Sequence, residues 1–227
     1  MKKIIIFFIS LFLILGFFFD KKIIETILTK NLSNKINFNV NFKMNKINYF
    51  SQQIEILDLE IKNKKNYFNE NIFEVSKVLI DYNLASILTD LVVIRSVFLS
   101  QPKFYFEILD EADKDQKENL KDNIDLIKTI NEQNPQIYPK KNKDKNFIIN
   151  NVKISNSIAY IKAPQNKINI EINLSNMSFQ NVGNANKNKV KKVQHFKDTF
   201  KIILMDIYFK IPNQNLKKLI KKNYKIN

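Results

Sequence analysis

INFNVNFKMNKI, residues 36–47, sets Ile36, Phe38, Val40, Phe42 and Met44 on one parity and asparagine or lysine on the other. Successive side chains of an extended strand point to opposite faces, so this period of two predicts a strand with one oily face and one wet face. Immediately upstream the period differs. In IIETILTKNLSNK, residues 23–35, Ile23, Ile24, Ile27, Leu28 and Leu32 fall at helical spacing, and Asn34 is read as the stop because asparagine tolerates a left-handed cap.

Downstream, IEILDLEI carries Ile54 and Ile56, then Leu59 and Ile61, so the parity changes at Leu57 and Asp58 and a bulge is expected there. FEVSKVLIDY follows with Phe73 and Val75 before Val78, Ile80 and Tyr82, a second change of parity. LASILTDL, residues 84–91, reads as two helical turns leading into VVIRSVFLS and, after Pro102, into KFYFEI, where Phe104, Phe106 and Ile108 alternate with polar residues. Five strands in meander order with one short helical connection predict an antiparallel sheet with one continuous apolar face.

Composition shifts at Asp110. An acidic, polar stretch precedes Leu120, Ile124, Ile127 and Ile130 at helical spacing, and Asn134-Pro135 and a lysine-rich loop follow; residues 110–146 read as an insertion or linker. Strands resume in NFIINNVKISNSIAYIKAP, with a hairpin turn expected at Asn156-Ser157, and in NKINIEINLSNMSF, where Ile168, Ile170, Ile172 and Leu174 alternate. From Lys187, the residues Val190, Val193, Phe196, Phe200, Ile203, Leu204 and Ile207 mark one helical face, ended by Pro212. Twelve lysines against Asp198 and Asp206 give this tail a net charge of ten. Lys191, Lys192, Lys217, Lys218, Lys221 and Lys222 are the candidate contacts to anionic lipid, the alternative being the solvated side of a helix that closes the sheet.

The chain opens with Lys2 and Lys3 before the apolar run IIIFFISLFLILGFFF, residues 4–19, which Asp20, Lys21 and Lys22 stop. As a helix it would cover about 24 Å of a hydrocarbon core about 30 Å thick, a length that flanking lysines extend by snorkelling. No Ala-x-Ala-like site follows, so the run reads as an uncleaved transmembrane signal anchor over residues 1–22. The remaining boundaries are a first β module over 23–109, the linker, a second β segment over 147–183 and a basic tail over 184–227. The expected fold class is therefore α+β: a transmembrane helix followed by a curved, mainly antiparallel, groove-like sheet with amphipathic helices.

The 227 residues include 19 Phe and 8 Tyr but no Cys and 2 Gly, with a net charge of +15. Absence of cysteine removes disulfides, thiolate metal sites and cysteine nucleophiles, and two glycines leave no phosphate-cradling loop. Lysine far outnumbers arginine, which argues against bidentate recognition of nucleic acid. His195 is the single histidine and has no partner pattern for a triad, so the reading is non-enzymatic, with no catalytic residue, metal or cofactor.

The stretches ILTKNLSNKINFNVNFKMNKINYFSQQIEILDLEIKN and FEVSKVLIDYNLASILTDLVVIRSVFLSQPKFYFEI, with Leu84, Ile87, Leu88, Pro102, Phe104 and Phe106 in the second, resemble the N-terminal module of the AsmA-like family of inner-membrane-anchored periplasmic proteins. The resemblance implies a β-groove lined with apolar side chains, a periplasmic location for the bulk of a single-pass protein, and a part in envelope maintenance or phospholipid movement. With at most two such modules the chain is too short to bridge two membranes, so an accessory role follows, with phospholipid and a protein partner as the expected contacts. The groove candidates are Phe38, Val40, Phe42, Phe104, Phe106, Ile170 and Ile172. The competing reading is a structural or partner-binding module with a sealed core.

Overall fold

The computed structural model describes residues 21–63, 69–107, 146–163, 167–184 and 193–224. Helix α1 (Lys21–Ile36) leads into β1 (Val40–Asn48), β2 (Gln53–Lys62) and β3 (Asn71–Tyr82); a 3-10 turn (Leu84–Leu88) connects to the long strand β4 (Leu91–Glu107). Then come β5 (Asn146–Ser155), β6 (Ile158–Ala163), β7 (Ile168–Asn173), β8 (Met177–Gly183), α2 (Phe196–Lys210) and α3 (Gln214–Tyr224). The strands make one sheet of eight in the order β1-β2-β3-β4-β5-β8, with β6 beside the far half of β4 and β7 beside β6.

The expected fold class needs correction in two respects. The sheet is mixed, because β5 and β6 both run parallel to β4. A parallel neighbour needs a long crossover, and residues 108–145, read in the sequence as a linker, provide one between ends fixed at opposite ends of the sheet. Residues 1–20, where the transmembrane helix was expected, lie outside the described residues, and among the described residues no helix is long and apolar enough to cross a membrane. Helix α1 fails that test because Lys21, Lys22, Glu25 and Lys30 interrupt it.

Local boundaries also move. Helix α1 runs through Ile36 and stops at Asn37, whose φ of 58° is the left-handed cap expected three residues earlier. Ile36 is therefore helical and Phe38 precedes the first strand. The hairpin expected at Asn156-Ser157 is absent: the chain runs on from β5 into β6 with only Asn156 left-handed, at φ 53°. A two-residue hairpin turn of the favoured type needs two left-handed residues, whereas one in an extended chain makes a bulge. The last long helix begins at Phe196; Val190 lies outside the described residues, and Gln194 instead bridges Val182 of β8.

A crease crosses the sheet. Asp58 (φ 50°) faces the position of Ser76, which faces Gln101 (φ 54°), which lies beside Asn156. Along this line the inner-face residues step by three instead of two: Ile56 to Leu59, Val75 to Val78, Leu99 to Pro102, Ile154 to Ser157 and Leu174 to Met177. From β2 across to the β7–β8 run the extra residue keeps the oily side chains on one face, while β1, whose Val40, Phe42 and Met44 step by two, meets it with a register shift against β2. Short polar side chains hold the loosened backbone. The Ser76 hydroxyl donates to Ser100 O at 2.9 Å, and Asn156 N–H donates to Asn176 Oδ1 at 3.0 Å. With so few glycines, Asp, Gln and Asn take the left-handed positions. Gly183 serves a different need, since a Cβ there would sit 2.3 Å from the carbonyl oxygen of Phe147.

Helices cover this inner face from both sides. Helix α1 packs on β1, where Val40, Phe42 and Met44 form a small core with Ile24 and Ile36. Helices α2 and α3 send Ile203, Leu204, Ile207, Leu216 and Ile220 onto the half of the sheet from β4 to β8, around the fully buried Ile161. Truncation of Ile161 to Ala is expected to cost about 2–5 kcal/mol in chemical denaturation, because the cavity opens where helices and sheet meet. Ser157, also buried, leaves its hydroxyl without a hydrogen-bond partner. Ser157→Ala is expected to be neutral or to stabilise by about 1 kcal/mol in the same assay.

Candidate functional site

The register of the ladders places one apolar surface across all eight strands. Met44 pairs with Ile56 and Ile56 with Val78; Val78 pairs with Leu99 and Leu99 lies beside Ile154, which faces Met177. Phe73 pairs with Phe104, their rings 5.2 Å apart, and the line continues through Ala159 to Ile172. Val40, Phe104 and Ile170 thus share a face, although their strands are far apart in sequence.

Cover over that face is uneven. Of the groove candidates, Phe38, Val40 and Phe42 are buried near α1 and β1, and Phe106 and Ile172 are buried in the core of the opposite half; Phe104 and Ile170 are half-buried at its margin. The sequence reading therefore selected mostly ordinary core. Between the two cores runs a strip along β3 whose buried residues, Val75, Val78 and Tyr82, belong to neither. Half-buried Ile54, Ile56, Phe73, Ile80, Val97 and Leu99 surround it. Ile54, Ile56, Phe73 and Ile80 were legible as inward strand residues; that the two cores stop short of Val75, Val78 and Tyr82 was not, since it depends on where α1, α2 and α3 come to rest.

The opposite face is polar. Lys77 pairs with Glu55 at 3.3 Å and Lys103 with Glu74 at 3.6 Å, and the rings of Tyr105 and Tyr160 stack at 5.1 Å. The hydrogen bond from Asn45, with Lys77 beside it, holds the Glu55 carboxyl below its ordinary range, whereas burial and the Glu74 carboxylate push the Tyr105 phenol up. These are signs of a solvated, charge-paired surface. His195 is exposed, and its carbonyl accepts the amide hydrogens of Asp198 and Thr199 at the start of α2. Among the described residues no group of three or more His, Asp or Glu side chains is placed to hold a metal ion.

The basic tail resolves into α3 and its flanks. Leu216 and Ile220 are buried against the sheet's core, while Lys218 and Lys221 face solvent and the Lys217 ammonium lies 5.6 Å from the Tyr208 ring centroid. Lys191 and Lys192 lie outside the described residues, as does the side chain of Lys222.

Both sheet edges are closed by helix side chains. On β1, the amide of Met44 donates to Glu25 Oε2 at 2.7 Å, that of Val40 to Ser33 Oγ at 2.9 Å, and Lys21 Nζ donates to Asn45 O at 2.7 Å. On the far edge, Asp206 accepts from the amide of Ser175 at 2.9 Å and from its hydroxyl at 3.1 Å, and Lys210 donates to Asn173 O at 3.0 Å. Edge groups satisfied in this way are not free to pair with another strand.

No protein-family model, curated protein or solved structure matches the chain.

Burial raises the Asp206 carboxyl, but the Ser175 bonds and Lys210 outweigh it, and the net shift is downward from the ordinary value of 3.8. A depressed carboxylate contributes stability that is complete above its unfolded value and is lost as pH falls through the folded one. Asp206→Asn is therefore expected to lower stability at neutral pH by about 1–2 kcal/mol, and the difference from the unaltered chain is expected to shrink below about pH 4 in urea melts.

Proposed function

We propose that the chain is a non-enzymatic, AsmA-like protein of the cell envelope that works at a membrane, on its periplasmic side, and holds an acyl chain of phospholipid against the apolar strip along β3. The observation that supports this reading is the strip itself: an inner face continuous over eight strands, covered by helices at both margins, with Val75, Val78 and Tyr82 between them belonging to neither helix-covered core and flanked by half-buried apolar residues. A surface of Ile, Val, Leu and Phe of this kind is matched by hydrocarbon and offers no group for catalysis. The stretch on which the family resemblance rests forms β3, the short Leu84–Leu88 turn and β4, the two strands expected on either side of Pro102 being one continuous strand, and it builds the floor of the strip.

A second reading makes the strip part of a sealed interior, since Val75, Val78 and Tyr82 within it are buried. Phe147, an inner-face residue of β5, donates from its amide to Asn184 Oδ1 at 2.8 Å and accepts at its carbonyl from the Asn184 amide at 3.2 Å, which ties β5 to the β8 side.

Lipid extraction from the full chain purified in mild detergent separates the two. The first reading expects co-purified phospholipid, and expects Ile56→Glu to reduce it at least roughly tenfold, because a carboxylate against acyl chains costs well over the ~1.4 kcal/mol that a tenfold change requires. Lys217→Gln with Lys218→Gln is expected to leave the lipid in place. Lipid-free protein that melts cooperatively would overturn the lipid reading and favour the sealed interior.

A further inference from the structure

The turn after β1 and the 3-10 segment before β4 meet at one end of the sheet and are fastened together. Gln52 carries the joint: its carbonyl accepts from the Tyr82 amide at 2.9 Å, and its side-chain oxygen accepts from the Leu84 amide at 3.0 Å and from Arg95 Nη1 at 3.2 Å. Arg95 also pairs with Asp81 and reaches Ser51 O, so both segments are held in place. What this rigid platform presents to solvent is apolar. Phe50 is 96% exposed and Leu88 89%, with Tyr49, Leu84 and Ile87 each exposed beside them.

Two large hydrophobic side chains almost wholly in water, on segments built to hold them still, are costly unless something apolar meets them. The sequence says what arrives at the same end. Lys21 bonds to Asn45 near the end of β1, so α1 starts at this end of the sheet, and it is here that the apolar run from Ile4 to Phe19 joins the fold. Lys22, Lys46 and Arg95 stand exposed around the platform. An apolar tip with a tyrosine beside it and cations behind it matches the layering of a bilayer surface, with acyl chains innermost and anionic headgroups outside.

We infer that this end of the sheet docks on a phospholipid bilayer, with Phe50 and Leu88 entering the boundary between headgroups and acyl chains. The inference shares with the function proposed above only the presence of a membrane. It sets the orientation: the strands of the sheet point toward the lipid, and the Tyr82 end of the strip along β3 lies nearest to it.

The chain has no cysteine, so single labels can be placed without background. Full-length F50C, L88C and, at the opposite end, E70C carry an environment-sensitive fluorophore and are reconstituted into vesicles of phosphatidylethanolamine and phosphatidylglycerol, with and without brominated acyl chains. All three positions are exposed, so labelling leaves the fold intact. The expected result is a shift to shorter wavelength and strong bromine quenching at 50 and 88, with neither at 70. Aqueous emission at 50 and 88 in vesicle-bound protein would overturn the docking and leave a protein partner as the occupant of this end. Because lipid co-purification is measured separately, loss of docking with lipid retained sinks this inference alone.

Discussion

The fold depends on keeping hydrocarbon on one side of a sheet that bends. A strand turns over its side chains every residue, so any irregularity that inserts a single residue would send everything beyond it to the wet face. Here the insertion occurs in register across the strands on either side of Asp58, Ser76, Gln101, Asn156 and Ser175, and the errors cancel. A crease confined to one strand would have split the inner surface. Shared by neighbours, it bends the sheet while Phe73, Phe104 and Ile172 stay on the side occupied by Ile56, Leu99 and Ile154.

The covering helices follow from that surface. Helix α3 is short and strongly two-sided, with Leu216 and Ile220 inward and lysines outward, and in isolation such a helix would be marginal in water. It is fixed by the apolar surface it closes. The lysines that made the tail look like a lipid-binding element are, on this helix, the side left over when the other is buried. The strip along β3 differs because its buried residues, Val75, Val78 and Tyr82, belong to neither of the cores that α1 and the α2–α3 pair close.

Much of this was legible in the sequence, and what was not has physical reasons. The parity change at Leu57 and Asp58 and that between Val75 and Val78 were both visible, because a strand records its two faces locally. That they lie on one line could not be read, since alignment between strands is set by pairing. Asn156 was read as part of a hairpin turn, because a lone left-handed residue and a turn look alike in a string of letters. The parallel run of β5 beside β4 was hidden for a related reason: it is decided by a crossover distant from either strand. Among the groove candidates, Phe42 and Ile172 satisfied every local criterion and were then claimed by helices from elsewhere in the chain. The expected transmembrane helix, in turn, falls on residues outside those described, and among the described residues no helix is long and apolar enough to cross a membrane.

Glu25, Ser33 and Lys21 on one border, and Asp206 and Lys210 on the other, occupy backbone groups through which a sheet could otherwise grow sideways. Copies of this protein are thereby discouraged from zipping into ribbons, and a guest peptide gains no row of vacant amides at those points to add itself to. Any larger assembly is left to form through the ends of the strands or through the helical covering, so that growth would proceed lengthwise, as stacked units, with the lateral borders acting as bumpers.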